Sequence, residues 1–106
     1  MKKQANPDFY PEMLLIAGHK ELYRLLISVL REKHIHPYDV RAGIIHAPEG
    51  ATVTLRFGEN LARKAERFFT WEEIQEENPG ITEFFRGSGD AIRKSLMDDY
   101  FIRMKP

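Results

Sequence analysis

The sequence predicts an α+β domain: amphipathic helices packed on a small antiparallel sheet built around a β-hairpin at about 40–46 and 52–57. Three observations predict it. Val53, Leu55 and Phe57 alternate with Thr52, Thr54 and Arg56, and Val40, Ala42 and Ile44 form a similar row before them. That is the period of half-buried strands. "HKELYRLLISVLREKHI" places Leu22, Leu25, Leu26, Val29 and Leu30 on one broad helical face. "FTWEEI" holds a helix start, with Thr70 and Glu73 as a capping box and Phe69 and Ile74 at the positions of a hydrophobic staple.

Taken in order, residues 1–10 read as an irregular arm, because Pro7 and Pro11 leave room for no more than a short turn. Residues 11–106 read as one domain. The run "EMLLIAG" is too short for its period to decide. One helix over 11–34 is the preferred reading, and a strand at 13–17 followed by a helix from His19 is the alternative. Pro37 stops the helix. Pro48 and Gly50 in "APEGA" suit a hairpin loop of four or five residues. "ENLARKAERFF" returns to helical spacing through Leu61, Ala65 and Phe68, so a helix is expected there. A second helix starts at Trp71 and ends at "NPG", where Asn78 and Pro79 are placed to cap and open a third. That third helix carries Phe84 and Phe85 and is expected to end at "GSG". Ser88 then caps a last helix with Ile92, Leu96, Met97, Tyr100 and Met104 inwards, unless 100–104 is a strand. A two-stranded hairpin alone is marginal. A third strand at 13–17 or 100–104, or pairing with a second subunit, is therefore expected.

Composition narrows the function classes. The chain has 106 residues, 42% apolar and 30% charged, which suits one soluble globular domain. It contains no cysteine, which removes disulfides, thiolate metal sites and cysteine catalysis. The longest apolar run is 13–17, far short of the roughly 18 residues that span a bilayer, and the start resembles no signal peptide. A cytoplasmic protein without membrane contact is expected. Sixteen basic residues balance sixteen acidic ones. That argues against a dedicated nucleic-acid binder, although 19–67 is mildly basic and 68–106 mildly acidic.

Few residues look like chemistry. His34, His36 and Asp39 in "REKHIHPYDV" have the composition of a metal site, with His46 as a third imidazole if the fold returns it there. His34 falls at a helix end and His36 just before Pro37, so their directions are unrelated. A helix end is the better reading and no metal is expected. "FFRGSGDAIRK" offers Arg86, Ser88, Gly89 and Arg93 as an anion contact at a helix start. It is neither a Walker loop nor a dinucleotide fingerprint, and no cofactor is expected. No nucleophile elbow surrounds Ser28, Ser88 or Ser95. Arg41, Arg56, Arg63, Lys64 and Arg67 compose a candidate basic surface for nucleic acid. Of the pair Phe84 and Phe85, one should lie near the surface as a dimer contact, whereas Phe68 should face the core.

The reading is a small non-enzymatic interaction or regulatory protein acting as a homodimer or through a protein partner. A nucleic-acid-binding module using 41–67 is the alternative. A small metal- or nucleotide-dependent enzyme is the third.

Overall fold

The computed structural model describes residues 10–104, and the side chains of 10–99. The expected arm lies almost wholly outside the described residues. Four strands, β1 (Glu12–Leu14), β2 (Val40–His46), β3 (Gly50–Phe57) and β4 (Arg63–Thr70), form one antiparallel sheet in the order β1-β2-β3-β4. Four helices accompany them: α1 (Leu15–Gly18), α2 (Lys20–Glu32), α3 (Trp71–Gln75) and α4 (Pro79–Met104). The fold is α+β. Among the described residues no helix is long and apolar enough to cross a membrane.

The central hairpin follows the alternation of its sequence. Ala42 and Ile44 on β2 pair with Leu55 and Val53 on β3, and all four are buried on the helix side of the sheet. The loop is tighter than expected. Ala47 and Gly50 exchange backbone hydrogen bonds at 2.8 and 3.3 Å, so only Pro48 and Glu49 lie between them. β1 supplies a third strand, pairing Glu12 with Ile45 and Leu14 with Gly43. The single helix over 11–34 is therefore replaced by a strand, one helical turn and a second helix. The break falls at His19, whose backbone is extended (φ −159°, ψ 94°) and whose Nδ1 accepts from the Leu22 N–H as the N-cap of α2. Leu22, Leu26, Val29 and Leu30 then face the core, with Leu25 half-buried beside them.

The expected helix over "ENLARKAERFF" is a strand. A short 3-10 turn at Glu59–Leu61, with Asn60 at φ 57° and Leu61 at φ 55°, reverses the chain after Gly58 and returns it as β4. Period two then decides which way the phenylalanines face. Phe69 is buried, in keeping with its staple role, and Phe68 is 42% exposed on the opposite side instead of facing the core as expected. Sheet pairing overrides the local helical spacing of Leu61, Ala65 and Phe68.

α3 begins where its capping signal places it. Thr70 accepts from the Glu73 N–H at 3.1 Å and Glu73 accepts from the Thr70 N–H at 2.9 Å, a complete capping box. The staple residues Phe69 and Ile74 both join the core. Trp71 ties this helix start to the hairpin loop, donating from Nε1 to the Ala47 carbonyl at 2.9 Å and stacking on His46. Asn78 caps α4 through its Oδ1 and the Gly80 N–H, with Pro79 in the first helical position.

α4 does not stop at "GSG"; it is one helix of 26 residues, and 100–104 belongs to it rather than to a strand. Besides Gly89, its buried residues among those described are Ile81, Phe85, Ser88, Ile92 and Ser95, spaced alternately four and three apart. This is a continuous stripe on one helix face, with serine at two of its positions. Gly89 belongs to the same turn as Ser88 and is where the Lys33 stem passes, so close that a Cβ there would meet Lys33 Cδ. Of the residues expected inwards on the last helix, Ile92 is buried, Leu96 half-buried and Met97 half-exposed; Tyr100 and Met104 lie outside the described side chains. Phe85 is fully buried, and Phe84 packs edge-on to Phe69 at 5.9 Å between centroids. Phe84, only partly buried, is the member of the pair nearer the surface.

Two stability outcomes follow from these helix contacts. Thr70→Ala removes the N-cap of α3 and should lower unfolding free energy by about 1 kcal/mol, read as a lower thermal midpoint. Ser95→Ala should act the other way. The Ser95 hydroxyl is buried without a hydrogen-bond partner among the described residues. Its removal should raise stability by about 1 kcal/mol in chemical denaturation, because the desolvation cost disappears with the group.

Candidate interaction surface

The helices cover one face of the sheet. Register assigns the other face residue by residue, since directly opposed residues share a side. One row is Arg41, Arg56 and Lys64; the next is Leu14, Gly43, Thr54 and Glu66; the third is Glu12, Ile45, Thr52 and Phe68. Basic groups thus gather at one end of this face and apolar ones at the other. Leu14 and Phe68 are 48% and 42% exposed.

Three cations in one cross-strand row repel one another. Glu12 answers the middle one. Its carboxylate crosses over Gly43 to accept from the Thr54 hydroxyl and from Arg56 Nη1, both at 2.7 Å. Gly43 allows this close approach, because a Cβ there would run into the Glu12 carboxylate and the Thr54 hydroxyl. Thr54, although on the uncovered face, is buried beneath this clasp. Burial alone would raise the Glu12 carboxyl. The hydrogen bonds from Arg56 and Thr54, with the charges of Arg56 and Lys64, outweigh it and hold the group below its ordinary 4.5. Lys64 has its own partner in Glu66 at 3.3 Å.

The five residues of the expected basic surface therefore do not form one patch. Arg41, Arg56 and Lys64 stand in the row just described. Arg63 and Arg67 lie on the helix side of β4, opposite Phe57 and Val53. The Arg67 guanidinium sits over the Phe69 ring at 5.1 Å.

The four residues of the expected anion contact lie inside α4, and its N-terminus is at Pro79 instead. They face the end of α2. Arg93 donates to the Lys33 carbonyl at 2.6 Å, satisfying the C-cap residue of that helix. Arg86 lies 3.7 Å from Glu32, Gly89 accommodates the Lys33 stem, and Ser88 is buried on the stripe. Lys33 itself pairs with Asp90 at 2.7 Å.

The histidines are dispersed. His34 is the left-handed residue (φ 59°) of a Schellman ending, in which the Ile35 N–H donates to Leu30 and the His34 N–H to Arg31. His36 Nδ1 caps the 3-10 turn Pro37–Asp39 by accepting from Tyr38. His46 is at the far end of β2 from Asp39, about 20 Å away at strand rise. Among the described residues no three potential ligands gather around one point.

A cleft of about 600 Å³ opens between α2, α3 and the start of α4, floored by Leu22, Ile74 and Ile81 and flanked by Trp71. Of the rings that line it, His19 caps α2 through its Nδ1 and Trp71 donates its Nε1–H to the hairpin loop.

Compared with known proteins, the chain matches no family model, no curated protein and no solved structure.

The Glu12 clasp has a pH signature. A carboxyl lowered below 4.5 by folding stabilises the fold above that value, and the contribution is lost as pH falls through the folded value. Glu12→Gln should be less stable than the wild type at pH 7. The difference should shrink as pH falls through 4.5 and below, in parallel denaturant titrations.

Proposed function

We propose that the protein is a non-enzymatic interaction protein that associates with itself through the open β4 edge of its sheet. One observation carries the reading. Phe68, 42% exposed, stands beside half-buried Thr52 on a sheet face that no helix covers among the described residues. Phe68 lies on β4, an eight-residue strand at the edge of the sheet. Uncovered apolar area and an open strand edge are both features that association removes. Twofold association is the commonest way to bury such a surface. A cytoplasmic setting belongs to the same proposal and rests on a cysteine-free chain.

The row Arg41, Arg56 and Lys64 is what favours nucleic acid as the second reading. Glu12 and Glu66 stand against two of its three charges, and the net charge of the chain is zero, so a protein partner is favoured. A mobility shift that weakens steeply with salt would reverse that order.

Sedimentation equilibrium between about 1 and 500 μM tests the leading reading in the affinity range expected of a small interface. The mean mass should rise from near 12.4 kDa towards twice that value. Phe68→Ser should weaken the association, while Tyr38→Ser, 91% exposed and away from the sheet, should not. A wild-type mass constant at 12.4 kDa across the range overturns the proposal.

A further inference from the structure

The reading that the chain self-associates leaves open which atoms meet, and the β4 edge supplies them. Antiparallel pairs alternate between those that exchange backbone hydrogen bonds and those that do not. Ala47 and Gly50 are an exchanging pair. Counting along β3, Gly50, Thr52, Thr54 and Arg56 therefore turn their backbone groups to β2, and Ala51, Val53, Leu55 and Phe57 turn theirs to β4. The bond from the Trp71 N–H to the Glu49 carbonyl has the same phase. Across the β3–β4 register the partners are Phe69, Arg67, Ala65 and Arg63. The N–H and C=O groups of Lys64, Glu66 and Phe68 consequently point out of the sheet, and none has a partner among the described residues.

We infer that this edge pairs with the β4 edge of a second copy of the chain, antiparallel and centred on Ala65, so that Lys64 of each faces Glu66 of the other. Side-chain charge selects the register. A twofold axis perpendicular to the sheet requires residues of one face to oppose one another. Centring on Glu66 sets that carboxylate against its own copy, and centring on Lys64 does the same with two ammonium groups. Centring on Arg67 places two guanidinium groups at the axis. Centring on Ala65 sets Lys64 against Glu66 twice, in the exchanging pairs where the free backbone groups are. About four backbone hydrogen bonds then form around the axis. The two alanines occupy the closer, non-exchanging pair, where a short side chain is needed. Like charges do meet on the helix side, where Arg63 opposes Arg67. That repulsion is reduced because each Arg67 guanidinium is drawn back over the Phe69 ring of its own subunit. Charged side chains commonly protect an edge from pairing. Here the two on the open face have opposite signs and already approach to 3.3 Å within one subunit, and antiparallel self-pairing sets each against the opposite charge of the other copy as well. The result is one sheet running β1-β2-β3-β4 through the axis into the same four strands reversed.

Charge reversal tests the register in the full-length chain. Lys64→Glu and Glu66→Lys should each raise the dimer dissociation constant at least tenfold in sedimentation equilibrium. Both side chains are about half-exposed, so both variants should fold, as circular dichroism will show. Mixed in equal amounts, the two variants should form a heterodimer. One then carries acidic side chains at both positions and the other basic side chains at both, so each cross-axis pair joins opposite charges. The double exchange in one chain should restore the homodimer. Backbone exchange gives a readout without mutation: the Lys64, Glu66 and Phe68 amides should be protected at high concentration and unprotected at low. Dimerisation that neither reversal weakens, or single variants that stay monomeric when mixed, overturns this register while leaving self-association standing. A wild-type chain that is monomeric throughout overturns both.

Discussion

β3 is the only strand among those described with long partners on both sides, seven pairs with β2 and eight with β4, and the rest of the fold is arranged around it. Its inner row of Ala51, Val53, Leu55 and Phe57 is buried, and the helices pack against that row. Sheet and helices therefore share one side of one strand. The pairing register decides both which residues enter the core and which are left on the open face. A slip of one residue would exchange the two sets. The Pro48–Glu49 turn and the Trp71 bonds to Ala47 and Glu49 hold that register at the closed end of the hairpin.

The two faces of the sheet are built from different interactions. The inner face is aliphatic and aromatic, with its helices joined by ordinary packing. The outer face contains a charged row that would be unfavourable alone, and a carboxylate from the shortest strand makes it tolerable. β1 has only three residues and is exposed along its length, so pairing with β2 alone holds it weakly. The Glu12 clasp reaches past β2 to β3 and gives that strand a second attachment. The ends of α2 and α4 are joined in a similar way. Arg93, Asp90 and Glu32 are surface charges by composition, yet two of them bind the Lys33 C-cap and the third pairs with Arg86.

Much of this was legible in the sequence, and the failures have physical causes. The hairpin was readable because both of its strands bury one face and expose the other. The α3 start was readable because capping is local chemistry between residues three apart. β4 was misread because it is an edge strand. Arg63 and Arg67 occupy inner positions beyond the rim of the core, so only Ala65 and Phe69 carry the period-two signal. The preceding turn is announced by Gly58 and Asn60, both at positive φ, but Leu61, also left-handed, reads as part of an apolar helical stripe. α4 was divided because "GSG" resembles a break. Its continuity depends on the stripe through Ser88 and Ser95, which an apolar pattern does not count, and on Lys33 arriving from another helix. The basic cluster was legible as composition and not as a surface, because which side of β4 each cation takes depends on the strand assignment. The Glu12 clasp joins residues up to 44 positions apart and leaves no local trace beyond an unexplained glycine in the middle of β2.

That glycine makes four positions on three strands a single unit of inheritance. A larger residue at 43 would need a shorter one at 12, which would strip Arg56 of its carboxylate and uncover the Thr54 hydroxyl. Drift at any one of Glu12, Gly43, Thr54 and Arg56 is thereby constrained by the other three. Related chains should vary at these positions together or hardly at all.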